Sequence, residues 1–233
     1  MSQPNDQRPT LRTSTGELAL EEYHLRLGSH QWTILHTGAV LSEDDEQLLL
    51  SGSPRPPYGI ALWPAAIALA HDLFARATEL RGRTVLELGA GTGLPGIVAA
   101  SLGAHVVQTD RHEVPMAICK RNVERNRATN IEHRLADWTL WDDSARYDLI
   151  IGSDIIYSEK MQEHLRPIFE SNVVPGGRIL LSDPFRPVSM RFLDSLEREG
   201  WRITVAKWTV GEDAAPRAIG VFELTRGDDV GID

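Results

Sequence analysis

Cysteine is almost missing from this 233-residue chain, where Cys119 stands alone. No intrachain disulfide can form, so a reducing compartment is expected, and no Cys/His cluster can assemble a zinc site. The eight histidines include no H-E-x-x-H pair, and no G-x-S-x-G elbow is present, which removes the residues of zinc hydrolases and of serine hydrolases. Basic residues are outnumbered, 24 Lys and Arg against 33 Asp and Glu, for a net charge of −9. That balance argues against broad nucleic-acid binding, which needs a basic surface. Long apolar runs are also missing. The longest, Ile60 to Ala70, contains Pro64 and is too short to cross a bilayer, and the N-terminal Met1–Thr10 is polar, without the apolar core of a signal peptide. A soluble, cytoplasmic protein without membrane association is the expectation. Hydrophobic residues at 42% and charged residues at 24% are ordinary for a globular protein, and the length suits one well-buried α/β domain.

What is present is concentrated between residues 84 and 110. Thr84-Val-Leu-Glu-Leu-Gly-Ala-Gly-Thr-Gly-Leu-Pro-Gly96 runs an apolar strand into a glycine-rich turn and a helix, and His105-Val-Val-Gln-Thr-Asp110 is a second strand ending on a carboxylate. Glycines let the backbone turn sharply and approach a ligand closely, and the helix start offers unpaired N–H groups. Asp110 follows Gly89 by 21 residues, the separation at which a carboxylate accepts the hydroxyls of a ribose. The βαβ unit therefore reads as a nucleoside-cofactor half. Two frames compete for its identity. Gly91-x-Gly93-x-x-Gly96 matches the dinucleotide fingerprint of NAD or FAD sites. The frame Glu87-x-Gly89-x-Gly91-x-Gly93 places an acid before the first glycine, where it repels a pyrophosphate but suits a cofactor bearing a sulfonium and an ammonium. S-adenosyl-L-methionine (AdoMet) is the reading this frame favours, with Glu87, Gly89, Ala90, Gly91 and Gly93 as the loop that holds its amino-acid end.

Along the chain, residues 1–16 read as a loose tail, 17–225 as a single domain with an N-terminal hairpin and helix (17–81) and a core (82–225), and 226–233 as a frayed acidic end. Tyr23–Leu27 and Gln31–Leu35 alternate around Gly28-Ser29 as a β-hairpin. Ser42–Glu46 is a solvated acidic stretch, and Pro54–Gly59 a breaker segment. Leu62, Ala66, Leu69, Leu73 and Leu80 fall near helical spacing, with Pro64 in the first turn. After Asp110 the pattern predicts a helix to about Asn126, strands at 131–136 and 147–153, a helix carrying Met161, Leu165, Ile168 and Phe169 that Pro167 kinks or shortens, and a turn at Pro175-Gly-Gly177. A strand at 178–182, a helix over 188–199 and two strands, 202–208 and 218–224, complete it. Strand–helix alternation implies a mostly parallel sheet with helices on both faces, and the short final connection implies an antiparallel last strand. This is the seven-stranded, Rossmann-like class I methyltransferase architecture. A dinucleotide enzyme would normally continue into a substrate domain, and no residues remain for one.

Trp63-Pro-Ala-Ala, Glu87-Leu-Gly-Ala-Gly-Thr-Gly-Leu94, Asp137-Trp138 and Ser153-Asp-Ile-Ile-Tyr157 together resemble methyltransferase family 16 over roughly residues 20–225. That family contains protein-lysine methyltransferases, and bacterial members are described as nicotinamide N-methyltransferase-like. The resemblance implies AdoMet contacts from Trp63, Gly89, Ala90, Gly91, Asp110, Trp138 and Ser153, and a lysine side chain of a protein as acceptor. Both tryptophans also suit plain core packing, and Ser153 departs from the Ala that many relatives place there. Asp154 and Tyr157 follow the fourth core strand, at the sheet edge where α/β proteins bind ligands, and are the candidate catalytic residues. The two prolines of the Asn-Pro-Pro-Tyr motif used on planar amides and bases are not there. A lysine ammonium has a pKa of about 10.4, so reaching the neutral amine near pH 7 costs roughly 4–5 kcal/mol. Asp154 would orient that nitrogen and Tyr157 would bond it or pack along its stem, although Asp154 is also a favoured helix N-cap. Asp183 and Arg186 are polar loop residues that fit the site or mere loop polarity equally. A small-molecule amine or nicotinamide-like acceptor is the alternative, and a non-catalytic AdoMet-binding module a third. A monomer is the default.

Overall fold

The computed structural model describes residues 9–13, 16–38, 58–211 and 216–226. The acidic stretch 42–46, most of the breaker segment and the tails at 1–8 and 227–233 lie outside them.

Two hairpins open the chain. β1 (Thr10–Thr13) pairs with β2 (Gly16–Ala19), and β3 (Glu21–Leu27) with β4 (His30–His36), both antiparallel. The second is the hairpin expected from alternation. The first replaces part of the expected loose tail, and the reason is burial: Leu11 and Leu20 pack with Leu35, Ile60 and Ile118, while Arg121 donates to the Thr10 carbonyl. One buried leucine in a four-residue strand leaves little periodicity to read.

A 3₁₀ turn at Tyr58–Ile60 leads to α1 (Pro64–Ala75), with Pro64 at the first turn and Trp63 as N-cap, and a short α2 (Ala77–Leu80). The apolar repeat that suggests one helix to Leu80 is thus divided at Arg76. The core alternates from there: β5 (Thr84–Leu88), α3 (Leu94–Ser101), β6 (His105–Asp110), α4 (Glu113–Arg125), β7 (Ile131–Leu135), a 3₁₀ turn at Trp138–Leu140, β8 (Tyr147–Ser153), α5 (Glu159–Asn172), β9 (Val173–Asp183), α6 (Pro187–Arg198), β10 (Trp201–Val210) and β11 (Arg217–Arg226). The α5 helix is not shortened at Pro167, which is exposed and is followed by five more helical residues.

Seven strands form one sheet in the order β10-β11-β9-β8-β5-β6-β7. Only β11 runs against its neighbours, β9 and β10, as the short final connection implies. Alternate side chains serve two cores. Val85, Leu149, Ile151, Leu180 and Val221 face the layer built from α1 and α3, and Leu86, Ile150, Ile179, Leu181 and Phe222 face α5 and α6. The chain leaves β5 towards β6 and β7, then returns to the other side of β5 as β8. The sheet's reversal of direction therefore falls beside the glycine loop, the place where open α/β sheets bind ligands.

Candidate functional site

The backbone of the glycine loop is fixed before any side chain enters. Gly89, Gly91 and Gly93 have φ of 65°, 55° and 80°, the left-handed region that residues with a Cβ rarely adopt. Gly93 donates to the Ala90 carbonyl at 2.7 Å and Ala90 to Thr109 at 2.8 Å, which folds the loop against the end of β6. A methyl group on Gly89 would sit 2.9 Å from Ile155 Cγ2 and 3.4 Å from Trp138 Cζ2, and one on Gly91 would sit 3.0 Å from the Gly59 carbonyl. Bare backbone therefore forms the floor of a cavity of about 400 Å³, within the range of small-ligand sites.

Asp110 borders that floor, at the carboxyl end of β6. It is only 7% exposed, and its oxygens accept the Gly91 N–H at 3.1 Å and the His112 N–H at 2.9 Å. Burial pushes its carboxyl above the usual range, against the pull of those bonds. A carboxylate has about four lone-pair positions, so acceptor capacity remains for ribose hydroxyls. Trp63 lines the cavity with its indole N–H bonded to the Tyr58 carbonyl at 3.0 Å. Trp138 lines it from the turn after β7. Asp137 beside it accepts the Thr139 N–H and hydroxyl, bonds that hold its carboxyl below the usual value.

Ser153, Asp154 and Tyr157 enter from the end of β8, on the far side of β5 from Asp110. Asp154 does not cap α5: that helix starts at Glu159 with Ser158 before it. Its backbone is left-handed (φ 55°) and its N–H is tied to the Ser182 carbonyl at 2.8 Å. The guanidinium of Arg186 engages both of its carboxylate oxygens, one at 3.2 Å. Tyr157 is half-exposed at the mouth, and its hydroxyl pKa is raised first by burial and then by Asp154. Of the residues singled out in the sequence, then, Trp63, Gly89, Ala90, Gly91, Asp110, Trp138, Ser153, Asp154 and Tyr157 share one cavity. Arg186, left open in the sequence between site and loop, lines it too, while Asp183 does not, and Tyr58, Gly59, Thr92, Asp137 and Met161 join them. Only long-range packing reveals most of these. The Gly59 backbone, for instance, is brought against Gly91 from 32 residues away.

Glu87 and Gly93 do not line the cavity. Glu87 lies beneath the loop, 1% exposed, where its Oε2 accepts from Gln108 Nε2 at 2.6 Å, and the same amide nitrogen donates to the Gly93 carbonyl at 3.0 Å. From there it braces the loop through Gln108. Burial pushes its carboxyl up to about 7, offset in part by the Gln108 and Gly96 bonds. The folded protein thus binds this proton more tightly than the unfolded chain does. Its contribution to stability is present at acid pH and is lost as pH rises from about 4.5 towards 7, by on the order of 3 kcal/mol. Glu87→Gln is expected to remove that slope. Urea unfolding of both proteins near pH 5 and near pH 8 checks it, and equal slopes would refute it.

The donor set fits AdoMet: a buried carboxylate at ribose position, bare backbone where the amino-acid end approaches, and two indoles as walls. Sequence and structure comparisons agree. Residues 42–199 match the family model described as "Lysine methyltransferase". Protein N-lysine methyltransferase METTL21A of Mus musculus is 45% identical over 63% of this chain and 69% of its own, and that of Xenopus tropicalis 34% over 83% and 86%. Histone-arginine methyltransferase METTL23 of Xenopus laevis is 32% identical over 60% and 62%. The fold is shared with T. thermophilus 16S rRNA N2 G1207 methyltransferase (RsmC), solved with AdoMet and guanosine, at a TM-score of 0.61 and 18% identity over 89% of this chain and 51% of that one. With its matched region spanning the glycine loop, the Asp110 strand and the Asp154–Tyr157 segment, the chain belongs to the lysine methyltransferase family of AdoMet-dependent enzymes.

Proposed function

We propose that the protein transfers the methyl group of AdoMet to a lysine side chain of a protein. The observation that carries this reading is that the cofactor-side residues and the pair Asp154–Tyr157 open into the same cavity from opposite sides of β5. When bound, AdoMet supplies an electrophilic methyl group on a sulfonium, and displacement at that carbon needs the acceptor nitrogen in line at near-attack distance. Asp110 accepts the ribose hydroxyls, Trp63 and Trp138 wall the nucleoside, and Asp154 accepts an N–H of the incoming amine and aims its lone pair. Tyr157 and Met161 flank the aliphatic stem and exclude water. The acceptor gives up its proton before attack and the product leaves as a methylated amine with S-adenosyl-L-homocysteine.

Lysine is favoured over the arginine named for METTL23 because a guanidinium acceptor needs carboxylate oxygens for its fork of donors. Both oxygens of Asp154 already hold Arg186. A protein acceptor is favoured over nucleic acid by the net charge of −9. We read the chain as a cytoplasmic monomer.

Incubation with methyl-radiolabelled AdoMet and a cell extract, separating acid-precipitable from soluble label, tests the reading. Label is expected in a discrete protein band, and Asp154→Ala is expected to reduce it at least about tenfold, the scale of one lost charge-assisted hydrogen bond. Label confined to the soluble fraction would move the acceptor to a small amine. Full turnover by Asp154→Ala would remove that residue from the mechanism.

A further inference from the structure

The lysine reading needs an acceptor nitrogen without its proton, yet a lone carboxylate does the opposite. It stabilises the ammonium and raises the amine's proton affinity. The structure supplies an offset. Among the described residues, four non-glycine positions have left-handed φ, and two of them meet at one ion pair: Asp154, which is its acid, and Phe185, which precedes its base, Arg186. Such backbones persist where the surroundings impose them. Asp154 is turned towards the loop after β9, and Phe185 turns Arg186 back towards it.

Arg186 Nη1 bonds Asp154 Oδ1, Nη2 bonds Oδ2 at 3.2 Å, and Nη1 lies 3.4 Å from Asp183 Oδ2. Asp183 is fully buried. Its Oδ1 accepts the Arg186 backbone N–H at 2.7 Å and its Oδ2 the Ser189 hydroxyl at 2.7 Å. The guanidinium is thus held from behind by a buried carboxylate while it covers the one on the cavity wall. An anchor alone would be complete with Asp183; the reach to Asp154 puts a permanent positive charge beside the acceptor position. The remaining ionisable groups on the cavity are Tyr58, Asp110, Arg111, His112, Asp137 and Tyr157.

We propose that Arg186 is a positioning and specificity-determining residue of methyl transfer: acting through Asp154, it favours the neutral form of the acceptor amine and repels a guanidinium acceptor. This rests on the lysine reading. With Arg186 in place, Asp154 orients the nitrogen by accepting its N–H without holding it as a cation. Without Arg186, the Asp154 carboxylate faces the amine uncompensated, and the amine keeps its proton to higher pH.

The test measures the rate of label transfer from methyl-radiolabelled AdoMet into extract protein between about pH 6.5 and about pH 9.5. The enzymes are wild type, Arg186→Lys, Arg186→Gln and Arg186→Gln/Asp183→Asn. In the double variant the buried carboxylate is neutral, so it reports even if the single variant fails to fold. His112 and the other cavity groups are common to all four, so only differences between profiles are read. The expected result is a rate about tenfold lower near pH 7 in the Gln variants, regained as pH rises by about one unit, a wild-type profile in Arg186→Lys, and unchanged AdoMet affinity by calorimetry. A Gln-variant profile of wild-type shape, lowered evenly or not at all, would overturn the proposal. Lost AdoMet affinity would also do so, by placing Arg186 in cofactor binding. If the wild type labels no protein at any pH, the lysine reading itself fails, and this inference with it.

Discussion

Asp110→Ala is expected to weaken AdoMet binding at least about a hundredfold. The carboxylate is buried and lines the cavity beside the bare loop, and two ribose hydrogen bonds to a charged acceptor are worth about 1.5–3 kcal/mol each. The same side chain also secures Gly91 and His112 through their N–H groups, so its removal frees the loop as well as deleting the acceptor. Asp110→Asn keeps the size and loses the charge, and an intermediate loss of about tenfold is expected. Calorimetric titration with AdoMet reads both, beside thermal melts that confirm folding. Wild-type affinity in the alanine variant would place the ribose elsewhere.

Gly96→Ala, at the first turn of α3, is expected to destabilise the protein by about 2–3 kcal/mol, lowering the melting temperature by roughly 5–10 °C. In an exposed helix the same change would gain up to about 1 kcal/mol, so the sign is decisive. A Cβ at 96 would fall 2.3 Å from Glu87 Oε2 and 2.5 Å from Gln108 Nε2. Neither neighbour can withdraw without breaking the bonds beneath the loop. A variant that melts at or above the wild-type temperature would show that this packing is looser than the geometry implies. Gly96 thus belongs to the support of the cofactor loop, although it is also the last glycine of the dinucleotide-like frame.

The strands were legible where a short run, largely apolar in the doubly covered centre of the sheet, has clear stops on either side. Tyr147–Ser153 matches its expected bounds, and the strand at 131–136 is one residue shorter. Pro175-Gly-Gly177 shows where a real local signal carries a different meaning. Instead of a turn preceding the strand, it is an irregular stretch inside β9, where pairing jumps from Tyr147–Val173 to Leu149–Arg178 and Gly176 takes a φ of 74°. Proline cannot donate to a ladder, so a bulge is one of the few places a strand accepts it.

The site was legible as a set of residues more than as a set of roles. Glycine spacing and a distant carboxylate mark a cofactor half because the chain between them is one strand and one helix of nearly fixed length. Glu87 follows the same pattern, yet alternation along β5 sends its side chain under the loop, which a motif does not disclose. Asp154 and Arg186 were both visible as polar residues after strands. Their pairing spans 32 positions and depends on β8 and β9 being neighbours, with both loops turned by left-handed residues.

The N-terminal hairpin is attached to the core through amide side chains. Asn122 on α4 accepts the Leu35 N–H at 2.7 Å and donates to the Leu35 carbonyl at 3.0 Å and to Thr92 at 2.9 Å, while Asn126 accepts from and donates to Thr33, both at 2.8 Å. Two carboxamides one helical turn apart thereby imitate a missing third strand, matching alternate residues of β4. A sheet margin answered in this way offers no row of free amides to a second chain, the usual route to edge-to-edge aggregation and strand exchange. Through Thr92 the same helix face joins the hairpin to the glycine loop. Insertions or fusions near residue 30 would therefore be felt at the cofactor, whereas additions before residue 9 lie ahead of every one of these attachments.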